Sequence, residues 1–87
     1  MPTVEDVARW MLEQVRQGHL YQEQTVYEIH ARFGEQFTYQ NDAGNLAIGR
    51  DVLKAFRKIS EADVVWDKYE RAWRLRDQRD APGRQQN

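Results

Sequence analysis

The sequence predicts an α+β fold of three helices closed by a β-hairpin, on three observations. Apolar residues recur at intervals of three and four over residues 3–17, 22–33 and 50–60, the stripe of an amphipathic helix. The period falls to two from Phe37 to Ile48 and again from Val64 to Leu75, as in half-buried strands. Leu, Ile, Val and Phe supply only 18 of the 87 residues, close to the roughly 20% below which chains stay disordered, but three Trp and four Tyr add the rings that complete a thin core.

The first helix carries Val4, Val7, Ala8, Met11, Leu12 and Val15 on one stripe. Thr3-x-x-Asp6 approximates a capping box at its start, and Gly18 stands where a left-handed C-cap is wanted. The second helix lies between Gln22 and Phe33, with Val26, Ile29, His30 and Phe33 on one side, Thr25-x-x-Glu28 as a cap and Gly34 after it. The segment from Phe37 to Ile48 reads as a short extra hairpin. Pairing Tyr39 with Leu46 and Phe37 with Ile48 gathers four apolar side chains on one face and leaves Asn41–Gly44 as the loop, with Gly44 at positive φ. A rival reading makes Asn45 the N-cap of the third helix after an irregular loop.

The third helix runs from Arg50 to Ser60, with Gly49 as N-cap, Ile48 and Leu53 as a hydrophobic staple, and Val52, Ala55, Phe56 and Ile59 as its buried side. A closing hairpin sets Trp66 opposite Trp73 and Val64 opposite Leu75, with Lys68–Arg71 as its loop. Its other face then holds Asp63 and Asp67 with Arg74 and Arg76. Residues 77–87 contain one Ala among polar residues, Pro and Gly, which predicts a disordered polar tail behind a single domain over 1–76.

Three helices followed by a hairpin are the parts of a winged helix, in which the helix before the hairpin is the one offered to a major groove. The chain also resembles a family of short bacterial proteins with no assigned function. The residues that carry the resemblance are Leu20-Tyr21-Gln22, Phe33-Gly34, Gly44-Asn45-Leu46-Ala47-Ile48, Val52-Leu53-Lys54-Ala55-Phe56-Arg57-Lys58, Val64-Val65-Trp66, Trp73-Arg74 and Pro82-Gly83-Arg84. The resemblance implies a complete small protein and transfers no catalytic residue, cofactor or ligand.

Composition removes several function classes. Without cysteine there is no disulfide, thiolate metal site or thiol nucleophile, and a cytoplasmic location is the default expectation. No apolar run exceeds three residues, which excludes a membrane-spanning helix of about 20 residues. The one serine, Ser60, adjoins Glu61 at a helix end and reads as a polar terminus, not a nucleophile. His19 and His30 share no ligand spacing with a carboxylate, and the five dispersed glycines form no phosphate loop. Glu5-Asp6 and Asp67 with Glu70 suit a helix start and a hairpin tip better than acid–base work. No enzyme, cofactor, metal or small-molecule substrate is expected.

Two surfaces rise above this background. Arg50, Lys54, Arg57 and Lys58 form a basic stripe on the third helix, and the hairpin adds Lys68, Arg71, Arg74 and Arg76. Up to residue 40 three cations face six acids, and beyond it ten face eight. Such a stripe can neutralise phosphates, so Arg50, Lys54, Arg57, Lys58, Lys68, Arg71 and Arg74 are the candidate contacts to double-stranded DNA. The overall pI of about 6.1 and nearby Asp51, Asp63 and Asp67 argue against it and for an ordinary solvated helix face with cross-strand ion pairs. The second surface is aromatic: Trp10, Tyr27 and Tyr69 lie on or near solvent, and a patch there would serve a protein partner or a homodimer. The expectation is a small binding or regulatory module, with nucleic acid the leading partner and protein association the alternative.

Overall fold

A computed structural model of the chain describes residues 1–77 and the backbone of Gln85–Gln86. Among these, the order is α1 (Val4–Gln17), β1 (Leu20–Tyr21), α2 (Gln22–Phe33), a 3-10 turn (Glu35–Phe37), β2 (Thr38–Gln40), β3 (Leu46–Ile48), α3 (Arg50–Ser60), β4 (Val64–Asp67), β5 (Ala72–Leu75) and β6 (Gln85–Gln86). The chain is α+β, as predicted. One sheet has the order β1-β5-β4-β6, and β2 pairs with β3 in a separate hairpin. Residues 78–84 and 87 of the expected tail lie outside the described residues. Within it, β6 runs parallel to β4, Trp66 opposite Gln85.

The start of α1 is the predicted capping box. Thr3 Oγ1 accepts from the Asp6 N–H at 3.2 Å, and Asp6 Oδ2 accepts from the Thr3 N–H at 2.8 Å. Gly18 does not form a left-handed cap: its φ of 160° is extended backbone, and its N–H closes on the Val15 carbonyl at 3.1 Å. After two residues of β1 the chain turns straight into α2. Thr25 does not cap this helix, because it lies inside it, buried, with its hydroxyl donating to the Tyr21 carbonyl at 2.7 Å. The first turn is met instead from far along the chain, where the Arg71 carbonyl accepts the Gln22 N–H at 3.0 Å. Arg71 holds φ at 55°, the one non-glycine residue in the left-handed region among those described.

Residues 37–48 form the hairpin and not the irregular loop, but one residue out of the predicted register. Thr38, Tyr39 and Gln40 face Ile48, Ala47 and Leu46. The shift comes from the turn. Asn41 donates its N–H to Asn45 at 2.9 Å, so both continue the ladder, and Asn41 Oδ1 accepts from Ala43 and Asn45. Three residues are left in the loop, the last being Gly44 at φ 82°, which suits a turn closed by a left-handed residue. Phe37 consequently sits in the 3-10 turn, opposite Gly49, and Tyr39 leaves the apolar face.

The closing hairpin has the predicted register, with Val64 opposite Leu75 and Trp66 opposite Trp73. β1 adds to its outer edge, Leu20 opposite Trp73. One core joins all these elements: Val7, Met11 and Val15 of α1, Ile29 of α2, Phe37, Ile48, Val52 and Phe56 of α3, Val64 and Trp73. Phe56 and Trp73 meet edge to face at 5.5 Å between ring centroids. On α3 the buried positions are Val52, Phe56 and Ser60, whereas Ile59, expected inside, is 42% exposed.

Candidate nucleic-acid interface

The placement of α3 follows from its junction with β3. Gly49 donates its N–H to the Phe37 carbonyl at 2.8 Å, and a Cβ at Gly49 would stand 2.9 Å from that oxygen. Glycine therefore permits the hairpin and the helix to meet this closely. With Val52, Phe56 and Ser60 turned inward, Arg50, Lys54, Arg57 and Lys58 are all exposed. At 3.6 residues per turn they share about 100° of arc. Among the described residues no carboxylate lies within ion-pair distance of any of the four. Asp51 spends one carboxylate oxygen on the Val52 N–H at 2.9 Å. Glu61, at the C-cap, sets one acid beside the end of the stripe.

Tyr39 was expected on the buried face, and the shifted register puts it beside the stripe instead. Its ring centroid lies 5.9 Å from the Arg50 guanidinium carbon. Such a contact is worth about 0.5–1 kcal/mol at an exposed site and leaves the positive charge intact. The clue available in the sequence was Gly44 as the last residue of a three-residue loop.

The hairpin cations divide. Lys68 is exposed with no ion pair among the described residues. Arg71 is exposed and donates to Gln22 Oε1 at 3.5 Å. Arg74 is held by Asp67 at 3.8 Å and is half-buried, so it does not stand free with the rest. Asp67 also accepts the N–H groups of Tyr69 and Glu70, at 3.0 and 3.2 Å, and so shapes the loop. Glu70 in turn meets His19 Nδ1 at 3.1 Å.

The aromatic candidates do not converge. Trp10 is half-buried, edge-on to Phe33 at 5.7 Å, with the Arg32 guanidinium 5.5 Å above its ring. Tyr27 on α2 and Tyr69 in the β4–β5 loop are well exposed, and no ring contact joins any two of the three. Ser60 is buried, its hydroxyl donating to the Phe56 carbonyl one turn back. His30 is exposed. Among the described residues no group of three His, Asp or Glu side chains is placed to hold a metal ion. Nor is any described helix long and apolar enough to cross a membrane.

No curated protein and no solved structure matches the chain. The cationic face and the strands that back it lie within residues 3–75, the stretch that matches a family of unknown function (DUF6953), and the chain belongs to that family.

Proposed function

We propose that this chain is a small non-enzymatic binding module that docks on double-stranded DNA, with the exposed face of α3 toward the major groove and the β4–β5 loop beside it as a wing. The observation that carries the reading is the set of four exposed α3 cations with no acid paired to them among the described residues. The pairing of β1 with β5 supports a winged-helix arrangement, since it ties the hairpin to the strand that leads into α2. On this reading the exposed Lys68 and Arg71 would add positive charge from the wing, whereas Arg74 serves the hairpin through Asp67. With a chain pI of about 6.1, attraction to phosphate must come from this local placement and not from net charge.

Fluorescence anisotropy with a labelled duplex tests the reading. Binding should weaken steeply with salt. Replacing Arg50, Lys54 and Arg57 together by Ala should lower the slope of log K against log salt by roughly 3, since each phosphate neutralised adds about 0.9 to it. Absence of duplex binding at low salt would overturn it.

A further inference from the structure

Arg50 differs from the other three α3 cations in where it sits and in what touches it. It is the first residue of the helix, whereas Arg57 and Lys58 belong to the last turn. A cation is disfavoured at the positive N-terminal end of a helix and favoured at the other, so stability accounts for the placement of Arg57 and Lys58 but not for that of Arg50. Its neighbour there is the Tyr39 ring, 5.9 Å from the guanidinium carbon. Tyr39 stands outside the core: it is 39% exposed, and among the described residues its ring meets no other aromatic ring.

The ring restricts the arginine without using it up. A carboxylate partner would occupy two of the N–H donors in the guanidinium fork, whereas an aromatic face attracts the cation and accepts no ordinary hydrogen bond. The hydrogen bonds that the described residues draw from arginine side chains come from Arg9, Arg71, Arg74 and Arg76, which leaves the Arg50 donors unspent. A fork held in place with its donors open is what bidentate contact to O6 and N7 of guanine requires. The N-terminal residues of a helix in the major groove are also the ones that reach base edges. Resting on the duplex reading above, we infer that Arg50 reads a guanine, that Tyr39 is the positioning residue that holds it, and that Lys54, Arg57 and Lys58 meet phosphates. A cation seated in the groove displaces counterions as one on a phosphate does, so base identity, and not the salt slope, separates Arg50 from the rest.

The test is selection of duplexes with a randomised centre on the full chain, followed by anisotropy with the best duplex. Selected duplexes should share a guanine. Exchanging it for adenine should weaken wild type at least about fivefold, the low end of what a bidentate pair discriminates, and Arg50→Ala should be indifferent to the exchange. Tyr39→Leu should cut the guanine preference at least threefold while keeping the affinity for the adenine duplex, and Tyr39→Phe should retain the preference; a merely structural role would weaken both duplexes alike. In the free protein the Arg50 Cδ protons should lie upfield through the ring current and move back in Tyr39→Leu. Should Tyr39→Leu fail to fold, Arg50→Ala and the wild-type proton shifts decide. Selected duplexes with no shared guanine, or a guanine preference that survives Arg50→Ala or Tyr39→Leu, would overturn this inference and leave duplex binding standing. No duplex bound at low salt would remove the reading beneath it, and this inference with it.

Discussion

Thr3 and Asp6 tie the first turn of α1 to its own entry, and the chemistry of that tie makes it sensitive to acid. The Thr3 backbone N–H above all, helped by the Thr3 hydroxyl and by Arg9, holds the Asp6 carboxyl below its ordinary value of 3.8, against desolvation, which opposes it. A group whose folded value is depressed contributes stability that is present above the unfolded value and is lost as pH falls through the folded one. Wild type should therefore melt higher than Asp6→Asn at neutral pH, and the gap should narrow as pH falls below about 5 and through the depressed folded value, in thermal melts followed by circular dichroism. A gap that stays constant over that range would mean the box works through geometry alone. Thr3→Ala, which removes the reciprocal acceptor, should cost about 1 kcal/mol.

Among the elements, the joint between the β2–β3 hairpin and α3 sets where the cationic face points. Gly49 has its Phe37 contact on backbone atoms, which cannot swing aside as a side chain can. Gly49→Ala should destabilise by about 1–3 kcal/mol, the usual range for overpacking, measured as a lower urea midpoint. It should also loosen the Tyr39–Arg50 contact, since both residues flank that joint. By contrast Lys54→Ala and Lys58→Ala alter exposed positions and should move stability by no more than about 0.5 kcal/mol. That contrast allows the binding test to be read without a folding artefact. Arg71 is the corresponding joint on the other side, its left-handed backbone directing a carbonyl onto the first turn of α2.

For the molecule entire, the decisive feature is that Trp73 is shared. It sits on the central strand pair, faces Leu20 and Trp66, and meets Phe56 of α3. Trp73→Ala should cost about 3–5 kcal/mol, a large part of the roughly 4–13 kcal/mol available to a domain of this size. Loss of the near-ultraviolet signal and of the cooperative urea transition together would register it. A loss confined to the hairpin, with α1 and α3 still unfolding cooperatively, would show that the helices form a core without the sheet. The α1–α3 packing through Val7, Met11, Val52 and Phe56 is then what remains.

The three helices, the closing hairpin and its register were all legible in the order of residues, because each is written as a local period with its own turn chemistry. Trp66 meets Trp73 since both strands alternate cleanly and four residues suffice to close them. The basic stripe was equally legible, being a matter of spacing on one helix. Folding in three dimensions settled the rest. β1 is two residues long, too short to show a period, and exists because β5 offers it an edge. The start of α2 is capped by a carbonyl 49 positions away in the chain, which no local motif can announce. The short hairpin slipped by one residue because Asn41 and Gly44 together favour a three-residue loop, and that slip carried Tyr39 out of the core to Arg50. Which cations stand free, Lys54 but not Arg74, depends on charges brought close by folding, and periodicity records only which side of an element a residue occupies.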